Sequence, residues 1–336
     1  MNNQIVFTFI MPTLNSEKTI EQTLKSIVNQ SFPKEKYEIL VIDGGSTDRT
    51  IQIAESYGAI ILKNEQKIPE TAKTIGIRQA RGTYIILHDS DEVYPNTDQL
   101  QKRYEFFQHN PDVYCYLTNR LIPGKGYGVS CAYLNCVSDP FSYIIYKNKG
   151  SIIENNRKYF IKNNNGNIYF YKEGDITPIG DGGSTTINLD KAKELFGDEV
   201  YTQDFAVSIF TQMVLKTGKV GCNENDSIIH NSTASLKSFL KKLRFRININ
   251  LNNVEKSGYS ARAGHNQQLQ RRKKIFCLYS LSIVLPLLDS IKLAIKHKHF
   301  SILLHFFYTY YVCGVAVIEV FKKKFHIKGG QYSYGK

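Results

Sequence analysis

Two aspartates separated by one residue stand directly behind a short apolar run. Asp89-Ser90-Asp91 follows Tyr84-Ile85-Ile86-Leu87, which has the length and composition of a buried strand. Such a pair is common in polar turns, but here a strand delivers it to the edge of a sheet. Two carboxylates this close repel each other unless a cation lies between them or one pKa is raised. Mg²⁺ and Mn²⁺ prefer carboxylate oxygens and characteristically bridge a protein to a diphosphate. The pair therefore predicts a metal–diphosphate site.

A second polar cluster follows another apolar run. Asp43 ends the run Tyr37–Ile42 and precedes two glycines, which let a ligand approach the main chain closely. We expect Asp43 to accept hydrogen bonds from a nucleoside, whereas Asp48 is better explained as a helix cap. Lys73 and Arg78 precede the strand that carries the aspartate pair, and each either contacts phosphate oxygens or is a solvent-facing charge.

The elements that would position these groups alternate between strand and helix patterns over the first 120 residues. The expected strands are Ile5–Met11, Tyr37–Ile42, Ala59–Leu62 and Thr83–Leu87. The first expected helix carries Ile20, Leu24, Ile27 and Val28 on one face, the second runs through Ile51, Ala54 and Tyr57, and the third runs from about Glu70 to Ala80. Asn15 or Ser16 is the expected cap of the first helix. Strands joined by helices in this way pair in parallel, and ligands bind beyond their carboxyl ends. All the polar clusters, including Thr13-Leu14-Asn15, lie at those ends.

The middle of the chain is less regular. From about Arg120 to Asn167 the sequence shows no clear period, and we interpret it as an irregular insert that lines one side of the site. Helical patterns return at Asp190–Phe196, Asp204–Lys216 and Ser235–Asn252.

Charge divides the chain into two parts. The 336 residues carry a net charge of +13, with 43 Lys and Arg against 30 acidic residues. From Lys237 onward there are 19 basic and 3 acidic residues, so this part has a net charge of +16 and the rest has −3. The composition is that of a globular protein, which excludes wholesale disorder. The six cysteines show no zinc-site spacing, so we expect free thiols in a reducing compartment. The N-terminus lacks the pattern of a signal peptide.

Two apolar segments near the end of the chain have the length of membrane spans. Ile275–Ile295 and Ser301–Phe321 are bordered by three basic clusters, Arg271–Lys274, Lys296–Lys298 and Lys322–Lys324. A hairpin of two spans would place the middle cluster on the far side of the membrane, against the positive-inside tendency. Helices in the membrane interface keep all three clusters near anionic headgroups, and we favour this interpretation over two buried helices of a soluble domain.

Together these motifs resemble the family 2 inverting glycosyltransferases of GT-A fold. The resemblance rests on Phe9–Glu17, Ser26–Ser31 and Glu38–Asp48, and it continues through Ala72–Ala80, Arg81–Tyr84 and Asp89–Asp91 in the order and spacing of the family. It covers residues 5–120 closely and 175–250 loosely. Gly44 stands where many relatives carry a second acid, so the nucleobase is left open. Thr74 stands where many carry asparagine.

The resemblance implies a nucleotide-sugar donor, a Mg²⁺ or Mn²⁺ ion and roles for particular residues. The donor-binding candidates are Pro12, Thr13, Asn15, Glu17, Asp43, Lys73, Asp89 and Ser90, and the metal-binding candidates are Asp89, Asp91 and His230. An inverting transferase needs a carboxylate that deprotonates the acceptor. In the family this acid opens a helix, which makes Asp204 the candidate base and Asp181 the second choice. A first-turn acid that stabilises the helix dipole is the other interpretation of Asp204.

The expected architecture is therefore an α/β protein of GT-A fold, with a mostly parallel sheet flanked by helices and a C-terminal helical membrane-associating extension. The GT-A domain would cover residues 1–235, with a nucleotide-sugar half at 1–118 and an acceptor half at 119–235. Residues 236–336 would form the basic, apolar extension, attached through about 237–325 to the cytoplasmic face of a membrane. Expected partners are the donor, a glycan or lipid-linked acceptor and an anionic membrane surface, but no nucleic acid.

The chain contains no tryptophan, and so it lacks the Gln-x-x-Arg-Trp motif that processive members of the resembled family usually carry. Transfer of a single sugar in cell-surface polysaccharide or glycoprotein biosynthesis is the leading hypothesis. One alternative is a polyprenyl-phosphate sugar synthase, and another is a non-catalytic membrane or nucleic-acid binding protein on a degenerate GT-A fold.

Overall fold

The chain folds into two compact units. A computed structural model describes residues 4–146, 150–156, 160–163, 166–172, 175, 183–232, 235–252 and 267–325. The first unit comprises residues 1–121 and 152–231, and the second comprises residues 122–151 and 232–336. Residues 122–151, which the sequence analysis places in the acceptor half, thus group with the C-terminal region.

A mixed sheet forms the centre of the first unit. In the described part of the chain its nine strands follow the order β3-β2-β1-β4-β10-β6-β11-β9-β8. They are β1 (Phe7–Thr13), β2 (Tyr37–Asp43), β3 (Ile60–Lys63), β4 (Tyr84–Leu87), β6 (Cys115–Leu117), β8 (Phe160–Asn163), β9 (Gly166–Phe170), β10 (Thr185–Asn188) and β11 (Lys219–Cys222). Strands β1 to β4 pair in parallel, as predicted, whereas β10 lies antiparallel between β4 and β6. A small second sheet has the order β5-β12-β7, with β5 at Glu92–Val93, β12 at Ser227–His230 and β7 at Arg120–Pro123.

Helices cover both faces of the main sheet. They are α1 (Ile20–Val28), α2 (Thr50–Ser56), α3 (Pro69–Gln79), α4 (Gln99–His109), α7 (Ile152–Asn156), α8 (Leu189–Phe196) and α9 (Gln203–Thr217). Side chains of β1 alternate between two buried clusters, because neighbouring residues of a strand point to opposite faces. Phe9 lies in one cluster and Ile10 in the other. The core therefore has two layers, one on each side of the sheet.

The α3 helix packs closely on β1 at one glycine. A Cβ atom at Gly76 would lie 2.5 Å from Cγ2 of Ile10, so no other residue fits without a shift. This contact holds α3 against the strand whose end forms part of the site.

Two local predictions are wrong. Asn15 and Ser16 do not cap α1, because the helix begins after Thr19 and the Asn15 side chain is bonded to another loop. Residues 120–167 are not irregular throughout, since they contain α5 (Val129–Val137) and α6 (Pro140–Ile145). Eight of the nine residues of α5 are buried, and a helix buried on all sides has no polar face to produce a periodic signal.

The second unit is helical in its described part. Besides α5 and α6 it contains α10 (Leu236–Asn252), α11 (Gln267–Leu281), α12 (Val284–His297) and α13 (His305–Lys324). Its interior is aromatic, and the ring of Tyr133 contacts those of Phe239 and Tyr308. His305 is fully buried and forms hydrogen bonds at 2.7 Å with the hydroxyl of Tyr133 and at 3.0 Å with that of Tyr279.

One stretch of this unit has the length and hydropathy of a membrane span. Residues Phe300–Lys322 have a mean hydropathy of 1.7, and 39% of the apolar window is buried against the protein. Residues Lys274–Leu281 and Val284–His297 meet the same criteria only as a pair, and they are bent by 91° at the break between them. The bend falls at Ser282–Ile283 and not at Pro286, which lies in the first turn of α12, where proline is tolerated.

Candidate active site

Two loops at the carboxyl edge of the sheet are linked to each other by hydrogen bonds. Thr13 and Asp43 end β1 and β2 and are direct neighbours in the parallel register. Asn15 has a φ of 50°, and its side-chain oxygen accepts a hydrogen bond from the main-chain N–H of Thr47 at 2.9 Å. Glu17 accepts a hydrogen bond from the N–H of Arg49 at 3.2 Å. The structure thus brings together the predicted donor-binding residues of both loops, including Pro12.

The Asp43 carboxylate organises the loop that follows it. It accepts hydrogen bonds from the main-chain N–H groups of Gly45 at 2.8 Å and Ser46 at 2.9 Å, and from the Ser46 hydroxyl at 2.5 Å. Gly45 has a φ of +91°, which favours glycine. The side chain predicted to contact a nucleoside therefore also determines the shape of the surrounding loop.

A buried amide behind this loop has an unused acceptor. Asn64 follows β3, donates from its main chain to the carbonyl of Asp43 at 2.8 Å and donates from its side chain to the carbonyl of Ile68. Within the described residues its Oδ1 atom is buried and has no hydrogen-bond partner. A buried acceptor without a partner is costly. The sequence analysis missed Asn64, although an asparagine directly after a strand at this edge is a usable signal.

The aspartate pair lies beside the first loop. The hydroxyl of Ser90 donates to the hydroxyl of Ser16 at 2.9 Å, and the Ser90 carbonyl accepts from Thr23. Strand β12 pairs antiparallel with β5 and places His230 opposite Glu92. As a result His230 Nε2 lies 3.4 Å from Oδ2 of Asp91. The structure thus brings together Asp91 and His230, which are 139 positions apart in the sequence.

Glu92 lies buried directly behind the aspartate pair. Its carboxylate accepts hydrogen bonds from the main-chain N–H groups of Gly183 at 2.8 Å and Ser184 at 3.0 Å. Burial raises the pKa of the Glu92 carboxyl well above its usual range, and the charges of Asp89 and Asp91 raise it further. The charges of Asp89 and Asp91 thus act on the same small space, and a cation there would lower the cost of keeping these carboxyl groups ionised.

Arg103 supports this arrangement from the interior. Its guanidinium is fully buried and forms hydrogen bonds to Asp226 at 3.1 Å, to Thr118 at 2.8 Å and to the carbonyl of Ser184. The Ser184 hydroxyl lies 3.0 Å from Nδ1 of His88, whose pKa burial lowers to about 3. The sequence analysis missed Glu92, Ser184 and Arg103. Only Glu92 gave a signal, as a third acid directly after the pair.

The described residues supply an incomplete set of metal ligands. Among the residues that the structure describes, no group of three His, Cys, Asp or Glu side chains is arranged to hold an ion. Asp91 and His230 are adjacent, and Asp89 lies two residues from Asp91. The donor set of carboxylate oxygens and an imidazole nitrogen fits Mg²⁺ or Mn²⁺ only when a ligand such as a diphosphate provides further oxygens.

The remaining predicted residues have separate positions. Asp204 is exposed in the first turn of α9, next to Gln203, whose side chain donates to Thr71 of α3 at 3.2 Å. Lys73 is half-buried on α3. Asp181 lies outside the described residues.

The sequence comparison agrees with this architecture. Residues 8–165 match the family described as Glycosyl transferase family 2. The matched segment contains the two linked loops and the aspartate pair. Over 94% of the chain and 87% of the other, the fold is similar to that of a mannosyltransferase from Pyrobaculum calidifontis solved in complex with GDP-Man and Mn2+, with a TM-score of 0.55 and 14% identity. The predicted GT-A fold is confirmed.

Curated relatives match about a third of the chain. The poly(ribitol-phosphate) beta-N-acetylglucosaminyltransferase TarS of Staphylococcus aureus is 36% identical over 114 residues, which are 32% of this chain and 20% of that protein. A dolichyl N-acetyl-alpha-D-glucosaminyl phosphate 3-beta-D-2,3-diacetamido-2,3-dideoxy-beta-D-glucuronosyltransferase of Methanococcus voltae is 36% identical over 106 residues, 30% of this chain and 33% of that one. The chain thus aligns with a fifth to a third of these relatives.

Proposed function

We propose that the protein is an inverting glycosyltransferase that moves a single sugar from a nucleotide-sugar donor to a glycan or polyprenyl-linked acceptor in cell-surface polysaccharide or glycoprotein biosynthesis. The observation that carries this proposal is the convergence of three groups at one sheet edge. These are the linked loops after β1 and β2, the aspartate pair and His230. Ligands of parallel α/β sheets bind at this edge.

The donor's nucleoside would lie against the loops after β1, β2 and β3. Thr13, Asn15 and Asp43 shape this region, and the unused acceptor of Asn64 would receive an N–H or O–H group from the ligand. Such a group would satisfy a buried atom that otherwise costs about 1–3 kcal/mol. Ser90 and Lys73 would contact the diphosphate.

Asp89, Asp91 and His230 would hold Mg²⁺ or Mn²⁺ against the diphosphate. When bound, the ion would neutralise charge on the leaving group. Its presence would also offset the mutual repulsion of the Asp89 and Asp91 carboxylates. Hydrogen bonds from the main-chain N–H groups of Gly183 and Ser184 hold the Glu92 carboxyl group in place.

We assign Asp204 as the base that prepares the acceptor. Its carboxylate would take the proton of the acceptor hydroxyl as that oxygen bonds to the anomeric carbon. The bond from that carbon to the diphosphate breaks at the same time, and the diphosphate departs with the electron pair. The exposed position of Asp204 in the first turn of α9 leaves it accessible to an acceptor.

A donor screen tests the main proposal. The purified chain is incubated with UDP-, GDP- and dTDP-sugars with Mn²⁺, with Mg²⁺ or with EDTA, and both binding and slow donor hydrolysis are measured. We expect one class of donor to bind and to turn over only with metal. Asp91→Asn should reduce metal-dependent turnover at least a hundredfold, whereas the exposed control Asp198→Asn should retain it. Binding of none of these donors would overturn the proposal.

The role of Asp204 is tested with the acceptor. Asp204→Asn should abolish sugar transfer to a hydroxyl acceptor while donor binding stays unchanged, and Asp198→Asn is again the control. If the variant transfers sugar as well as the wild type, Asp204 is not the base. Retained transfer to a polyprenyl phosphate, whose oxygen is already ionised, would favour the alternative of a polyprenyl-phosphate sugar synthase.

The proposed location is the cytoplasmic face of a membrane. The net charge of +16 from Lys237 onward supports it, because an anionic leaflet attracts clustered lysine and arginine residues. Attachment there would place the enzyme where a polyprenyl-linked acceptor lies.

A further inference from the structure

Helix α12 carries its apolar residues on the outside. The buried positions of the helix are Pro286, Ser290 and Leu293, two of which are poor contributors to an apolar core. The exposed large side chains are Val284, Leu285, Leu287, Leu288, Ile291 and Ile295. A helix at the surface of a water-soluble protein has the opposite arrangement.

Helix α13 is inverted in the same way. His305 and Thr309 are fully buried, and Glu319 is only 4% exposed. Phe307, Val317, Ile318, Val320 and Phe321 are exposed on the same helix. The polar side chains have partners inside the unit, because His305 bonds to two tyrosine hydroxyls and Glu319 pairs with Lys322 at 3.3 Å. The helix therefore places these polar groups inward and exposes large apolar side chains at the five positions named, although Val312 and Val315 are buried.

The bend between α11 and α12 forms an apolar tip. Leu278, Leu281 and Ile283 are 70%, 75% and 65% exposed, and Val284 follows at 61%. Isolated exposed apolar residues are ordinary, but a continuous set of this kind marks an interaction site. We call the exposed apolar residues of α11, α12 and α13 the outer apolar surface.

Basic residues accompany the outer apolar surface. Residues 267–325 contain two acids, Asp289 and Glu319. Asp289 accepts a hydrogen bond from Tyr279 at 3.2 Å, and Glu319 is buried as described. Lysine side chains are exposed at Lys274, Lys292, Lys298 and Lys324. The charge presented around the apolar residues is therefore positive.

We propose that the outer apolar surface embeds in one leaflet of an anionic bilayer, with the bend at Leu281–Val284 as the inserted tip and the lysines on lipid headgroups. This develops the membrane location proposed above. A second copy of the chain fits less well, because two surfaces with the same positive charge repel each other. The apolar exterior and the basic rim are the features of an interfacial helix. The 91° bend and the buried inner sides of the helices favour a surface that lies in the membrane over one that crosses it.

Vesicle flotation tests the proposal without using transferase activity, so its failure is distinct from that of the enzymatic function. The full chain is mixed with preformed vesicles of neutral phosphatidylcholine, with or without about one third phosphatidylglycerol. We expect flotation with the anionic vesicles, weaker but retained at 1 M salt because apolar burial is not screened. The double variant Leu281→Glu with Ile283→Glu should reduce the partition coefficient at least tenfold.

The matched control introduces the same two charges elsewhere. Ile60 and Ile161, 40% and 62% exposed in the first unit, are changed to glutamate and should leave flotation unchanged. Lys292→Glu with Lys298→Glu should weaken binding to anionic vesicles only. Equal flotation of Leu281→Glu/Ile283→Glu and wild type would overturn the proposal. A dimer in light scattering that this variant dissociates, without vesicle binding, would also overturn it and assign the surface to a second copy.

Discussion

Replacement of Arg103 by methionine should destabilise the first unit by about 3–5 kcal/mol, the cost of removing one partner from a buried ion pair. The guanidinium is fully buried and lies 3.1 Å from the Asp226 carboxylate, whose side chain is only 6% exposed. After the substitution Asp226 keeps the hydrogen bond from the side chain of Gln99 at 2.8 Å and the one with the Tyr116 hydroxyl, but it loses its cationic partner. A loss of this size is a large fraction of the 5–15 kcal/mol by which domains are typically stable.

The assay is urea unfolding followed by tyrosine fluorescence and circular dichroism, which suits a chain with 22 tyrosines and no tryptophan. Arg49→Met is the control, because the Arg49 side chain is 75% exposed and pairs with Glu17 at 3.6 Å. It should cost less than about 1 kcal/mol. Asp226→Asn is measured alone and with Arg103→Met. The double variant should be about 2–3 kcal/mol more stable than the sum of the single effects predicts. Strict additivity would refute the reasoning.

Two further substitutions, Gly76→Ala in the first unit and His305→Gln in the second, test the buried contacts of each unit. Gly76→Ala should cost about 1–3 kcal/mol through overpacking on Ile10, whereas Gly128→Ala, with open space around it, should change urea stability by less than about 1 kcal/mol. Burial lowers the pKa of His305 from 6.5 to about 4. Between pH 4 and pH 6.5 the unfolded chain therefore binds more protons than the folded chain does. The contribution of His305 to the free energy of unfolding is complete above pH 6.5 and falls by up to about 1.4 kcal/mol per pH unit towards pH 4. His305→Gln should flatten this dependence in pH-resolved unfolding, and the exposed His109→Gln should not.

The first 90 residues could be predicted almost to the element. Each of the four expected strands and three expected helices exists, and the strand ends are displaced by at most two residues. The first helix starts at Ile20, later than its predicted cap at Asn15 or Ser16 implies. The reason is physical: parallel strands buried on both faces are continuous apolar runs, and the helices between them keep one polar face. The same pattern located the loops that carry Asp43 and the aspartate pair.

The hydrophobic pattern of the sequence did not predict the structure where a helix is buried on all sides or where a side chain bonds to a residue far away in the chain. Helix α5 has no polar face, so its sequence resembles neither a surface helix nor a loop. Asn15 looked like a helix cap because its use by Thr47 depends on a loop about 30 residues away. Arg103 gave no signal in the sequence, since its burial depends on Asp226 and Ser184, both distant in the chain. The residues of the site at the sheet edge were predictable, whereas the buried polar groups that support them were not.

The position of β10 has a consequence for how the chain reaches this fold. Strands β4 and β6 follow each other along the chain among the strands of the main sheet. Strand β10 nevertheless lies between them in the sheet, and it comes from about 70 residues further along the chain. A nascent chain released only as far as residue 165 would present the open edges of β4 and β6, which are templates for wrong pairing. The segment that carries the family signature is thus not a folding unit. Closure of the sheet awaits the synthesis of residues 185–222, and contacts of such long range form slowly.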